Sequence, residues 1–352
     1  MRQAALLAVA AVAAAMLTEV TDAGQEPPAQ SAFVAFRVDA QHVIATIKVT
    51  EIAGKQIVDG LSQAPPAQFG YPHFDAPASW KEHVPAQIHG AKQWVVHAAP
   101  GQPFGAVPER VVGGYAQCQE AVGVLLRIDG ERANEFAKIR ARYFVASTAV
   151  APDARSSEPV TPVRALPSPV FTVPQRQGFE SALNQLLARE LPRVRAESES
   201  HQARMEASRS GSAWVRRQRE MDEALTGGRG ELRYDIQSFQ LAPDGVPVHF
   251  VRAEWMVERQ QAFAVSLWIR GELPVETLQT NLRPASWLRM PEFQRHVTRE
   301  HLGLVLNVMD RDQDGWGEVL FAQGGYESIG ISLLEYSPTG FQPSGVEFAR
   351  GC

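Results

Sequence analysis

A proline-rich stretch divides this chain into parts with different residue periodicities. Six prolines fall between residues 148 and 174, at positions 152, 159, 162, 167, 169 and 174. Proline has no backbone N–H and is excluded from central strands and helix interiors, so this stretch predicts an extended linker. For a chain of 352 residues, two or three compact units are also the natural expectation. We therefore expect the parts on either side of residues 148–174 to fold separately.

The two flanking parts predict β-rich domains. Residues 31–147 contain runs such as SAFVAFRVDAQHVIATIKVTEI, whose β-branched and alternating character is typical of strands. A similar pattern returns after the helical segment and continues to the end of the chain. We expect an N-terminal β-rich domain at 31–147 and a C-terminal β domain at 229–352. The predicted fold class is α+β, mainly β, with the domains joined by the linker and a helical hairpin or arm.

The helical part is residues 175–228. Leucines recur at steps of three and four residues from Leu183 to Leu191, which predicts a helix with one apolar stripe. Pro192 follows directly, and we expect it to kink or end this helix. Residues 195–212 are almost entirely polar, and the helical period resumes after them until a Gly-Gly pair. This pattern indicates a helical hairpin or a long solvated arm rather than a compact domain.

The N-terminus predicts export. Arg2 precedes an apolar run of about 14 residues, which is shorter than the roughly 20 residues of a membrane-spanning helix and typical of a signal-peptide core. Small residues at Thr21 and Ala23 permit cleavage after Ala23. We expect residues 1–23 to be a signal peptide, and the mature protein to be periplasmic or secreted and not membrane-spanning. An uncleaved membrane anchor is the alternative.

The chain has two cysteines, Cys118 and Cys352. They are too few and too distant in sequence for a zinc site, which uses closely spaced ligand pairs. In an oxidising compartment two cysteines favour one disulfide. We predict a Cys118–Cys352 disulfide; the alternative is a buried free thiol at Cys118 and a frayed terminus at Cys352.

Charge and motif content argue against several functions. A net charge of -5 does not favour binding to the negatively charged phosphates of nucleic acid, so nucleic acid is not an expected partner. The sequence contains no HExxH zinc-protease motif, no GxSxG nucleophile elbow, no P-loop and no dinucleotide fingerprint. The recognisable catalytic signatures are therefore missing, and a non-enzymatic protein is the simpler expectation.

The sequence NVMDRDQDGWGEVLF contains the clearest candidate site. Asp310, Asp312 and Asp314 alternate, and Gly315 permits a sharp turn, so the three carboxylates converge on the inside of a loop. Hard oxygen ligands in this number suit Ca²⁺, which takes 6–8 oxygens, better than zinc. An EF-hand requires glutamate at the twelfth position, where this sequence has phenylalanine, and its flanks are helical rather than strand-like. We predict a strand–calcium loop–strand unit.

The segment DRDQDGWGEVLF resembles the D-x-D-x-D-G-x-x-[DE] loop and following strand of FG-GAP and VCBS-type repeats, which are β-propeller blade elements of exported and cell-surface proteins. The resemblance covers only one loop of the chain, so it implies a structural Ca²⁺ site and not a propeller. It implies a main-chain carbonyl ligand from Trp316 and four side-chain ligands, which are Asp310, Asp312, Asp314 and Glu318.

A group of histidines in the predicted N-terminal domain is the second candidate site. Its members fall within 25 residues and are His73, Asp75, His83, His89 and His97. These side chains can in principle form a metal or acid–base centre, although their spacing matches no known ligand pattern.

Two function classes follow. We expect a non-enzymatic exported protein whose C-terminal β domain holds structural Ca²⁺ and contacts an unidentified protein or envelope polymer. The alternative is an envelope hydrolase with its active site near His73–His97.

Overall fold

The structure is a computed structural model. It describes residues 32–50, 73–76, 78–81, 84, 88, 90–98, 103–116, 119–148, 163–206, 212–271, 273, 292–294, 303–325, 328–337 and 339–351. The described residues are mostly strand with two long helices, which agrees with the predicted mainly β, α+β class. The predicted signal peptide (1–23), Cys118 and Cys352 lie outside the described residues, so cleavage after Ala23 and the disulfide remain predictions.

The first sheet is built from seven antiparallel strands, six of which form a closed ring. The strands are β1 (Ala32–Arg37), β2 (His42–Thr50), β3 (His73–Asp75), β4 (Trp94–His97), β5 (Phe104–Ala116), β6 (Gln119–Ile128) and β7 (Tyr143–Thr148). The order around the ring is β5-β4-β7-β1-β2-β6, and β6 pairs back with β5. β3 pairs with the far end of β5. Two short helices accompany this sheet, α1 (Ala78–Lys81) and α2 (Ala133–Lys138).

Both faces of strand β1 in the closed sheet are buried. Successive side chains of a strand point to opposite faces. In β1, Ala35 belongs to one apolar cluster together with Trp94. Its neighbours Val34 and Phe36 belong to a different cluster. The ring therefore has its own core and also packs outward against another part of the chain.

The second sheet has the order β12-β11-β10-β9-β8. Its strands are β8 (Arg164–Leu166), β9 (Glu231–Gln240), β10 (Pro247–Val257), β11 (Gln260–Arg270) and β12 (Glu292–Gln294). The edge strand β8 lies within the predicted linker (148–174) and pairs with β9. An edge position tolerates the surrounding prolines. A structureless linker is therefore not confirmed at residues 163–172, and residues 149–162 lie outside the described part of the chain.

Two helices pack on the second sheet, α3 (Val173–Glu206) and α4 (Ser212–Thr226). The leucine stripe of α3 from Leu183 to Leu191 is buried in one cluster with Val251 and Trp255 of β10. Pro192 does not end α3, which continues to Glu206. Among the described residues, no helix combines the length and the apolar character needed to cross a bilayer.

The third sheet is an antiparallel meander with the order β13-β14-β15-β16. Its strands are β13 (Leu304–Met309), β14 (Glu318–Gly325), β15 (Ser328–Ser337) and β16 (Gly340–Gly351). One of its faces joins the outer cluster of the closed ring, where Phe348 meets Phe36. Its other face shares a cluster with the second sheet, where Phe321 meets Trp268.

The packing does not confirm two separate β domains at 31–147 and 229–352. The third sheet lies between the other two sheets and contributes side chains to a core with each of them. All described residues belong to one compact unit that begins at Ala32.

Candidate metal centre

The acidic turn, residues 310–317, connects β13 to β14. The two strands pair directly up to the turn, with Met309 opposite Glu318, and the adjacent Val308 and Val319 are buried. The backbone then reverses through two residues in the left-handed region, Gln313 with φ 60° and Gly315 with φ 88°. Glycine adopts that conformation without strain, which explains its position directly after the third aspartate.

The turn brings the three aspartates together. One carboxylate oxygen from each of Asp310, Asp312 and Asp314 lies within 4.8 Å of the other two. Asp310 is half-buried, whereas Asp312 and Asp314 are exposed. Backbone N–H groups hold two of the carboxylates: Gly315 donates to Asp310 Oδ2 at 3.1 Å, and Trp316 donates to Asp314 Oδ1 at 2.8 Å.

Asp310 shows how the cluster fits a cation. Its Oδ1 atom is buried and has no hydrogen-bond partner. Burial raises the pKa of Asp310, and the nearby charges of Asp314 and Asp312 raise it further, against the lowering effect of the Gly315 and Gln313 N–H groups. A buried carboxylate oxygen without a donor, beside two more carboxylates, matches the hard oxygen ligands that Ca²⁺ takes.

Glu318, the predicted closing ligand, is differently placed. It lies outside the group of three aspartates and is only 4% exposed. Its Oε2 accepts the backbone N–H of Arg311 at 2.8 Å, and its Oε1 is 3.4 Å from the Arg311 Nε. Burial raises the pKa of Glu318 to about 8, although the Arg311 N–H favours the charged form. Its partner here is Arg311, and coordination by Glu318 stays a prediction.

Arg311 is a functional candidate that the sequence analysis missed. Its guanidinium contacts Glu318 on β14 and Glu335 on β15, the second through an Nη2–Oε1 distance of 3.5 Å. The only sequence signal is a basic residue standing between the first two aspartates of an acidic loop.

The far end of the turn is anchored on the second sheet. The Gly317 N–H donates to the Leu241 carbonyl at 2.8 Å. A Cβ atom at Gly317 would lie 2.9 Å from Leu241 Cδ2 and 3.1 Å from Val163 Cγ1, so a larger residue would push the turn away from β9. The Trp316 ring packs near Tyr336, with ring centroids 6.0 Å apart. The predicted carbonyl ligand from Trp316 stays a prediction.

The histidine group does not form one site among the described residues. His73 pairs with Gly114 near one end of β5, whereas β4, which ends at His97, pairs with Phe104–Ala106 at the other end. Asp75 is exposed and forms an ion pair with Arg110 at 2.9 Å. His83 and His89 lie outside the described part of the chain.

His97 is buried inside the protein. Its Nε2 atom is 3.4 Å from Ser147 Oγ. Burial and, to a smaller extent, the positive charge of Arg311 lower the pKa of His97 to about 4. At neutral pH this imidazole is therefore uncharged, as in a core histidine.

Comparison with protein-family models, curated proteins and solved structures gave no match. Within the described part of the chain, the fold and the turn define an antiparallel arrangement of three sheets with a helical layer and a cluster of three aspartates. The likeness to FG-GAP and VCBS-type loops stays a resemblance of one turn.

Proposed function

We propose that this protein is an exported, non-enzymatic β protein in which one structural Ca²⁺ fixes the β13–β14 turn, and that it serves as a binding or interaction module of the cell envelope. Asp310, Asp312 and Asp314 are the proposed side-chain ligands, with the Trp316 carbonyl and solvent completing the shell. The observation that carries the proposal is the approach of three carboxylate oxygens to within 4.8 Å of one another.

Electrostatics explains why a cation stabilises this turn. Three carboxylates at that distance repel one another, and the repulsion is stronger where Asp310 is shielded from water. A divalent cation converts the repulsion into attraction without any change in strand pairing. The turn connects strands that pack against both other sheets, so binding energy at the turn becomes folding energy for the protein.

The proposed role as an interaction module rests on a site in which the ion would stabilise a turn and would not take part in a reaction. The ion would bind at a turn between two paired strands, where its coordination would tie β13 to β14. As expected from the sequence, the proposed partner is an unidentified protein or envelope polymer. The hydrolase alternative gains no support, because His73 pairs with Gly114 of β5 whereas His97 pairs with Val145 of β7.

Thermal unfolding with and without Ca²⁺ tests the proposal. Calcium sites in extracellular modules bind at about 10⁻⁴–10⁻³ M, and at ten times Kd the stabilisation is about 1.4 kcal/mol. We expect EDTA to lower the Tm, Ca²⁺ to restore it, and Mg²⁺ to restore it poorly because Mg²⁺ demands a strict octahedral shell. The Tm of Asp312→Asn should not respond to Ca²⁺.

The matched control is Asp129→Asn, which removes an exposed aspartate that pairs with Arg127 away from the turn. This variant should keep the full Ca²⁺ response. Identical melting of the wild type in EDTA and in millimolar Ca²⁺ would show that the turn is an acidic loop without a metal.

A further inference from the structure

A cavity of about 460 Å³ lies between α3, the C-terminal end of α4 and β10. This volume is within the range of roughly 300–1,000 Å³ that is typical of small-molecule sites. Its apolar wall includes Leu187, Leu191, Leu225 and Trp255. The Trp255 indole N–H donates to Asn184 Oδ1 at 2.8 Å, so the polar atom of the indole is satisfied.

Pro192 leaves a backbone carbonyl on this wall without its usual helical hydrogen bond. Helix α3 runs without a break through Pro192, and proline has no N–H to donate to the carbonyl four residues earlier. That carbonyl belongs to Ala188, and both residues line the cavity at its solvent-exposed edge. Asn184, Ala188 and Pro192 are spaced by four and lie along one face of the helix. A backbone acceptor without its usual i+4 donor is therefore located at the cavity wall.

The opposite wall contains Thr226 and Gly228, at the C-terminal end of α4. The last carbonyls of α4 already accept hydrogen bonds: the Gly228 N–H donates to the Leu225 carbonyl, and the Thr226 hydroxyl donates to the Asp222 carbonyl. These two carbonyls therefore add no free acceptor to the wall. The site combines an apolar body with the Ala188 carbonyl as an acceptor at its edge.

We propose that this cavity binds a small, uncharged and mostly apolar molecule with one hydroxyl donor, such as an alkylphenol, and that the Ala188 carbonyl accepts the hydroxyl hydrogen bond. Binding here is independent of the proposed calcium site, which lies on the third sheet.

Calorimetric titration of the full chain with 4-propylphenol and with its methyl ether tests the proposal, because the two probes differ in the donor. A net hydrogen bond changes affinity by roughly two- to tenfold, so we expect the phenol to bind that much more tightly. Pro192→Ala restores the N–H at position 192 and supplies the missing donor to Ala188. In this variant the phenol should lose its advantage over the ether, and helix content should not fall because alanine favours helix.

Two phenylalanine substitutions localise the binding. Ala188→Phe fills the cavity and should weaken binding of both probes at least tenfold. Gln185→Phe adds the same ring to an exposed position of α3 outside the cavity and should leave binding unchanged. Absence of saturable binding at millimolar probe, or equal affinity of the wild type for both probes, would overturn the proposal. A preference for the phenol that persists in Pro192→Ala would show that the Ala188 carbonyl is not the acceptor. Equal loss of binding in both phenylalanine variants would show that the probes do not bind in this cavity.

Discussion

At the residue scale, Arg311 lies between two glutamates of neighbouring strands. Glu318 and Glu335 are directly opposite in the β14–β15 pairing, where like charges destabilise a sheet. The side chain of Arg311 is 14% exposed and that of Glu318 is 5% exposed, so water screens their interaction weakly. When Glu318 ionises, above its pKa of about 8, the guanidinium offsets its cross-strand repulsion with Glu335, while the three aspartates face the proposed cation.

The raised pKa of Glu318 predicts a specific pH dependence of the metal-free protein. The folded-state pKa is about 8 because of burial, above the ordinary value of 4.5. Between these values the folded state keeps a proton that the unfolded chain has lost, so the free energy of unfolding falls as pH rises from about 4.5 to about 8. Glu318→Gln has no such group. Its stability in EDTA, measured by urea unfolding at pH 5 and pH 8, should therefore fall less with pH than that of wild type.

An equal pH slope in wild type and Glu318→Gln would contradict this prediction. Asp129→Asn serves again as the control, since an exposed aspartate on the closed sheet should leave the slope between pH 5 and pH 8 unchanged.

His97 predicts the opposite dependence on the acid side. Burial lowers its folded-state pKa to about 4 from an ordinary 6.5. The neutral ring therefore contributes stability that is fully present above about pH 6.5 and is lost as pH falls towards 4. His97→Gln should be less stable at pH 7 but should lose less stability between pH 6.5 and pH 4. Urea unfolding across this range measures both, and a parallel loss in the two proteins would show that His97 does not titrate in this way.

The three aspartates could be recognised in the sequence because their spacing is local and Gly315 marks a turn. The role of Arg311 could not be recognised in the same way. It depends on Glu335, which is brought opposite Glu318 by the register of β15. Strand register is set by pairing between distant segments, and the spacing of residues within one loop carries no information about it.

At the element scale, helix α3 has two unlike halves. Its first half buries Phe179 and the leucine stripe against the second sheet. From Arg195 to Glu206 the sequence is almost entirely polar, so it offers little apolar surface to bury, and local side-chain pairs contribute only about 0.2–0.5 kcal/mol each. Helical structure without apolar burial opens at low free-energy cost.

Limited proteolysis should therefore cut first between residues 195 and 212. Trypsin is suitable because arginines occur on both sides of residue 205 in this range. The central strand β10 contains Arg252 and provides an internal comparison, since β10 pairs on both sides. First cuts within residues 246–270, identified by mass spectrometry, would contradict this prediction.

The strand pattern of the sequence predicted the mainly β class. It did not predict which strands pair in each sheet. The run AFVAF in β1 is apolar at every position, which is typical of a strand buried on both faces. That signal indicates packing of the closed ring against another sheet. The proline-rich composition of residues 148–174 instead favoured separate domains. Closure of the ring through the β5–β6 pairing has no local sequence signal.

At the scale of the whole molecule, the third sheet connects the other two. Phe348 of β16 packs edge-to-face against Phe36 of the closed ring, with ring centroids 4.8 Å apart. Phe321 of β14 packs edge-to-face against Phe250 of the second sheet, with centroids 5.4 Å apart. Because the two contacts come from opposite faces of one sheet, loss of the third sheet exposes apolar surface on both neighbours.

Phe348→Ala should therefore destabilise the whole protein and not the third sheet alone. Phe348 is 3% exposed, and truncation of a buried phenylalanine costs about 3–5 kcal/mol. We expect a lower Tm with one transition, in which amides of β1 and β15 lose hydrogen-exchange protection together. Val170→Ala, at a position that is 95% exposed, should change stability by less than about 0.5 kcal/mol. If β15 lost protection in Phe348→Ala while β1 kept it, the ring would be an independent folding unit and the division at residue 147 would be restored.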